Sequence, residues 1–258
     1  GFEAKFETGP VQRGAARVFR ADVVTQTLNG PETPGTIEVN HPVDVGGASV
    51  HLIGHGYAPV VRVTDADGKL AFAGPVVFLP QDGNFSSLGV IKVPDARPQR
   101  LAFEGWFLPT ATVDSRGPRS LFPDALAPEL FLNAWSGPPR VETGLPESVY
   151  SLDKTGLEQV TSASGDPVRI RLSPGKVVDL PDGSTLEFTS WQRWTKLQLS
   201  STPGLPLTMG SIAVAMLGLC LSLFVRPRRL WVRVVDAEGG SRVEVAGLDR
   251  VDGRGGPE

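Results

Sequence analysis

The stretch PLTMGSIAVAMLGLCLSLFVRPRRLW, residues 206–231, decides the architecture of this chain. From Leu205 to Val225 there are 21 residues without one Asp, Glu, Lys, Arg or His. At 1.5 Å per residue a helix of that length reaches roughly 30 Å, the thickness of a hydrocarbon core. Helices buried in soluble cores are usually shorter and keep a polar stripe. Thr208, Ser211 and Ser222 are small hydroxyls that can bond back to their own helix. A transmembrane helix over 205–225 is therefore expected.

The flanks set its direction. Arg226, Arg228, Arg229 and Arg233 crowd one end, Pro227 helps to stop the helix there, and Trp231 suits an interfacial anchor. The positive-inside rule then makes 226–258 a short cytoplasmic tail and places 1–203 outside the plasma membrane. Inside the helix, Gly210 and Gly218, with Ala215 and Ser222 near them, form a small-residue side against which another membrane helix can pack closely. The chain starts at Gly1, and GFEAKFETGPVQRGAAR has no apolar central region of the signal-peptide kind. A domain outside the membrane needs a route across it, so the expectation is the C-terminal part of a longer, multi-pass membrane protein.

Working outward, residues 1–203 read as mainly β. Apolar alternation and turn signals predict strands at 16–28, 36–40, 48–54, 59–65, 99–110, 129–135, 147–152 and 167–172. DADG at 65–68 and PDG at 181–183 read as hairpin turns. The Pro-rich stretch 111–128 reads as a long loop, or a hinge between two lobes of a sandwich-like domain. In the tail, WVRVVD and SRVEVAG fit a small hairpin about the GG pair. A formal net charge of -3 gives no basic footprint, so nucleic acid is not expected as a partner. The only cysteine, Cys220, lies in the apolar helix, which leaves the outer domain no disulfide and the chain no CxxC or CxxCH.

Candidate sites are few. The histidines are His41, His51 and His55. On a strand, His51 and His55 share a face about 13 Å apart at ~3.3 Å per residue, too far for one metal, so they read as packing or surface residues. His41, before Pro42 in VNHPVDVGG, reads as a turn histidine that could also serve as an axial haem ligand. Trp191 and Trp194 could line a flat cofactor's pocket or pack in the core. No nucleophile elbow, P-loop, dinucleotide fingerprint or zinc motif is present, so no catalytic residue and no metal site is expected. A membrane-anchored surface receptor or adhesion domain without a haem role stands as the alternative.

Three pieces together carry a resemblance: VNHPVDVGGASVHLIGHGYAP, SVYSLDKTGL, and SPGKVVDLPDGSTLEFTSWQRWTKLQLSSTPGLPLTMGSIAVAMLGLCLSLFVRPRRLW. They resemble the C-terminal part of the ResB family of System II cytochrome c biogenesis. There a strand ending in a Pro-Gly pair, here Pro203 and Gly204, leads straight into the last membrane helix; Thr202 stands where an acidic residue is frequent. The resemblance implies earlier membrane helices upstream and a haem-handling membrane partner of the ResC/CcsA type. It also implies apocytochrome c as substrate, haem bound transiently and shared with the partner, and an accessory rather than catalytic role. It marks His41 as the candidate haem contact and gives His51 and His55 no role.

Overall fold

The computed structural model describes residues 1–139, 148–224, 228–237 and 239–249. In chain order the strands are β1 (Phe2–Phe6), β2 (Ala16–Thr25), β3 (Thr33–Glu38), β4 (Val43–Val45), β5 (Ala48–Thr64) and β6 (Leu70–Pro75). There follow β7 (Leu79–Pro80), β8 (Ser87–Val93), β9 (Arg100–Leu108), β10 (Ala111–Asp114), β11 (Gly117–Ser120) and β12 (Glu129–Gly137). The last are β13 (Glu158–Gln159), β14 (Arg169–Leu172), β15 (Lys176–Asp179), β16 (Thr185–Ser200), β17 (Arg228–Ala237) and β18 (Gly240–Asp249). The one helix among the described residues is α1 (Leu205–Phe224). The protein is mainly β, as its sequence predicts.

Residues 1–201 form one compact unit and 202–258 another. In the first, two sheets enclose a single core. One runs β15-β16-β5-β4 with β6 also on β5; the other runs β13-β12-β9-β8-β7 with β14 also on β12. Tyr57, Val61, Val63, Leu186 and Phe188 of the first sheet meet Ile91, Phe103, Phe107, Leu130, Leu132 and Ile170 of the second. The alternation that predicted VRIRL as a one-sided strand is seen in β14, where Ile170 and Leu172 are buried and Arg169 and Arg171 exposed. A third, smaller sheet of β1, β2 and β3 lies at the N-terminus.

Two strands, β5 and β16, pair antiparallel over almost their whole length, and that ladder organises the unit. It carries two register shifts. Phe188 faces Val61 but Ser190 faces Val60, so Thr189 is an extra residue on β16; Lys196 faces Gly54 but Leu197 faces Leu52, so Ile53 is extra on β5. Because side chains alternate faces, each extra residue switches which positions point inward. Leu186 and Phe188 point to the core before the first bulge; Trp191 and Arg193 do so after it.

Several expectations need correction. The strands at 48–54 and 59–65 are one strand: Gly56 is a packing glycine, where a Cβ would lie 2.6 Å from the Trp194 ring, and Gly54 sits in the extended ladder with room for a side chain. His51 and His55 do not share a face. Their partners Gln198 and Thr195 are three apart on an uninterrupted part of β16, and residues an odd number apart face opposite ways. Residues 148–152 form no strand; the segment is tied down by Lys92 Nζ, which donates to the Ser148 carbonyl at 2.8 Å, while position 147 lies outside the described residues. The 111–128 stretch is not a featureless loop or hinge, since it holds the β10-β11 hairpin. It is also fastened to the core, because Tyr57 Oη donates to the Pro123 carbonyl at 2.7 Å and Phe122 is buried.

In the second unit α1 spans 20 residues, all exposed, and is long and apolar enough to cross a membrane. Thr208 Oγ1 donates to the Gly204 carbonyl and Ser211 Oγ to that of Thr208, so two of the three hydroxyls do bond back to the helix. A Cβ added at Gly210 or Gly218 would meet nothing within 4 Å beyond the helix's own backbone. At 3.6 residues per turn the two stand about 80° apart, one broad side rather than one line. Val225, Arg226 and Pro227 lie outside the described residues. The tail hairpin forms as expected, β17 against β18, closing where Ala237 faces Gly240.

Gly105 sits where a Cβ would overlap the Phe131 carbonyl oxygen, a backbone atom that cannot swing aside. Gly105→Ala is expected to cost about 3 kcal/mol by overpacking the β9-β12 pair. Gly83→Ala, whose added Cβ meets nothing within 4 Å, is the control and should change stability by less than about 0.5 kcal/mol. Denaturant unfolding followed by β-sheet circular dichroism measures both.

Candidate functional site

The N-terminal sheet meets the body at a cage of aromatic rings around two basic side chains. His55, on β5, is only 8 % exposed. Phe19 of β2 lies 4.3 Å from its ring and Phe2 of β1 lies 5.2 Å away, while Phe85 stacks on it at 4.7 Å and 24°. Phe6 joins from β1, edge-on to Phe19, Phe85 and Phe122 at 5.8 to 6.3 Å. Phe85 holds φ +57, a backbone state that bulky residues avoid. Asp82 Oδ1 accepts the N–H groups of Asn84 and Ser86 on either side and fixes that turn. Strain of this kind persists only where its surroundings hold it, and here it aims the ring at His55.

Arg193 is the second member. Thr189, the extra residue on β16, turns it inward, where its guanidinium lies over Tyr57 at 4.9 Å, Trp191 at 5.8 Å and Phe6 at 6.0 Å. Its side chain is 13 % exposed, and Nη2 donates to Asp124 Oδ1 at 2.6 Å. Burial pushes the Tyr57 phenol up, so it remains protonated and keeps its bond to Pro123. Trp194, on the other face of β16, donates Nε1 to the carbonyls of both Tyr57 and Phe78 at 3.1 Å. Both tryptophans therefore pack, one within the core and one as a seal over Gly56.

Two polar atoms in the cage, His55 Nδ1 and Arg193 Nη1, are buried without a hydrogen-bond partner. Burial, and secondarily the Arg193 charge, holds His55 down at about 4. The imidazole is neutral at physiological pH, enclosed by rings from the N-terminal sheet and the body. Chemically this is a joint: it fastens β1 and β2 to the two-sheet core through dispersion, ring contacts and one partly screened ion pair.

His41 lies apart from the cage, exposed in the turn after β3, where its backbone bridges to Glu38. Its Nδ1 lies 3.2 Å from the Val39 carbonyl. A carbonyl only accepts, so Nδ1 is the donor in this contact, and Nε2 is the ring nitrogen not engaged by it. A groove of about 600 Å³ in the first unit lies on the outer face of the second sheet. Leu88, Trp106, Pro118 and Phe131 line it, with Arg169 among its polar residues. No His, Cys or Met lines that groove, so aromatic walls and the free imidazole do not coincide. Among the described residues, the exposed His41 ring and this flat apolar surface do not share one pocket. The tail arginines 226, 228 and 229 have no described side chains.

The joint makes a pH prediction with a definite sign. His55 titrates at about 4 when folded and near 6.5 when unfolded, so the unfolded chain takes up its proton first. Its contribution to stability is complete above about 6.5 and drains away as pH falls from 6.5 to 4. Replacing it with a ring that cannot be protonated, His55→Phe, should flatten the part of the stability–pH curve between pH 6.5 and 4. Unfolding midpoints at half-unit pH steps, wild type minus variant, test this; a constant difference would show that His55 does not titrate in the joint.

Compared with known proteins, the chain gives one result. The family model of the ResB-like family matches residues 1–258, its full length. No curated protein matches, and no solved structure matches. With a β-rich body, a C-terminal apolar helix and a match from first residue to last, the chain belongs to the ResB-like family.

Proposed function

We propose that this chain serves in the maturation of c-type cytochromes as an accessory, non-catalytic subunit of a cytochrome c synthase complex. The ResB-like family is associated with membrane complexes for cytochrome c biogenesis, and family membership over 1–258 is the observation that carries the reading. Helix α1 crosses the membrane with the β-rich unit on the extracytoplasmic side and β17-β18 in the cytoplasm. The partner is a haem-handling membrane protein of the ResC/CcsA type, and the substrate is apocytochrome c. Gly210 and Gly218 lie on the side of α1 that packs against neighbouring membrane helices.

Bound haem supplies the vinyl groups to which the two reduced thiols of a CxxCH segment add. What the chain contributes is position rather than acid-base chemistry. His41, exposed at the surface, would be the residue of this chain that contacts haem, and the rest of the haem environment would belong to the partner. The His55–Arg193 joint fastens the N-terminal sheet, which carries the chain in from any upstream segment, to the body.

Removing residues 1–201 while keeping α1 and the tail should abolish holocytochrome c on haem-stained gels; normal staining would sink the reading. His41→Ala should change the haem absorption spectrum of the purified complex, whereas His51→Ala should leave it unchanged. A tag after Glu258 should resist protease added to intact cells.

A further inference from the structure

The outer edge of β16 has an unusual property. Its inner edge pairs with β5 throughout, but β15 covers only Thr185 to Phe188 on the outer side. From Ser190 to Ser200 the outer edge pairs with no strand among the described residues. Such an edge presents alternate backbone N–H and C=O groups to whatever approaches, and natural proteins usually blunt it with proline, a bulge or a covering element. No proline interrupts this run, and the one register shift along it puts its extra residue, Ile53, on β5 rather than on β16. Only Lys196 places an exposed charge on it, since Arg193 is turned inward against Asp124.

Its two faces differ. Leu197 and Leu199 are 43 % and 69 % exposed on one face, while Gln192, Lys196 and Gln198 are exposed on the other. We propose that this edge is a docking surface for an extended polypeptide segment, which joins the sheet as an added strand beside Ser190–Ser200. The added strand would lay apolar side chains over Leu197 and Leu199 and place an acidic side chain against Lys196. A second copy of this chain fits worse, because the full-overlap antiparallel pairing of two such edges sets one Lys196 diagonal to the other. The inference deepens the functional reading above and rests on it only for the natural source of the segment, an unfolded cytochrome precursor; the edge itself stands on geometry.

The test uses the full chain in detergent and a fluorescent peptide of about twelve residues alternating valine with threonine and glutamate. Two further versions carry N-methyl groups on one or the other set of alternate residues. Pairing at an edge requires only one set of N–H groups, so one methylated peptide should bind at least tenfold more weakly and the other as before. Lys196→Glu should exchange the preference for glutamate peptides for one for lysine peptides, and Leu199→Lys should weaken both at least fivefold. Equal binding of both methylated peptides, no binding at all, or binding unchanged by these substitutions would overturn the proposal. Self-association of the wild type that the peptide cannot compete away would also overturn it, in favour of a second copy. If the peptides pair as expected yet Leu199→Lys leaves holocytochrome c at wild-type levels, the edge stands and its link to cytochrome maturation fails. If removal of the domain abolishes holocytochrome c but no peptide pairs, the reverse holds.

Discussion

The ladder between β5 and β16 constrains the rest of the first unit, and its two extra residues constrain the ladder. A strand of 16 residues with strict alternation would keep one set of side chains inward from end to end. Thr189 interrupts that after Phe188, so the inward set changes from Leu186 and Phe188 to Trp191 and Arg193. Without the interruption Gln192 and Trp194 would face the core and the guanidinium would face solvent. The cation then has its ion pair with Asp124 and three rings around it. Its position explains why the 111–128 stretch is held down, since Asp124 and Pro123 are both bonded to residues of the ladder.

Such a joint runs against ordinary stability logic. A buried nitrogen without a partner costs on the order of 1–3 kcal/mol, and the cage holds two, His55 Nδ1 and Arg193 Nη1. Offsetting them are edge-to-face and stacked ring pairs at about 0.5–1.5 kcal/mol each beyond their burial. The N-terminal sheet adds few residues to the main core; it docks through Phe2, Phe6 and Phe19. Rings, unlike a hydrogen-bonded ladder, can part and re-form without leaving backbone groups unpaired. A polar centre within a ring of phenylalanines is thus a fastening specific in register but modest in net strength.

Much of the fold is legible in the sequence, for reasons that can be named. Helix α1 starts at Leu205, as its sequence predicts, because a run of about 20 residues without a charge matches the bilayer's hydrocarbon thickness and little else in a protein. The tail hairpin and the turns at 65–68 and 181–183 follow from glycine placement. Glycine used for packing misleads instead: HGYAP looks like a break, yet Gly56 is there to admit Trp194, and Pro59 keeps a useful carbonyl that accepts from Val76. FEAKF is too short to declare itself as β1. The joint does leave a signal. In LEFTSWQRWTKLQL the apolar positions step by two through 186 and 188, then resume at 191, 197 and 199 in the opposite phase, with Trp194 alone keeping the first one. A phase break within one strand marks a bulge, and Arg193 falls on the inward phase beyond it. His55 cannot be found this way, because the bulge that sets its face, at Ile53, leaves no mark in its own stretch.

The open edge of β16 follows from how the two sheets are joined. Between β14, in one sheet, and β15, in the other, the chain has only Ser173, Pro174 and Gly175. Gly175, at φ +78, makes that crossing and donates its N–H to the Phe188 carbonyl at 2.6 Å, the last backbone bond on that side of β16 among the described residues. Beyond it the neighbouring chain has left for the second sheet. A longer β15 would cover Ser190–Ser200 but could not deliver Leu172 to the core from β14. Closing the core and closing the edge therefore compete for the same residues, and the core wins. With no cysteine in residues 1–201 to brace the domain otherwise, that preference is what burial energetics requires. The exposed run of backbone donors and acceptors is thus a necessary product of the topology, with its leucines and single lysine left to decide what pairs there.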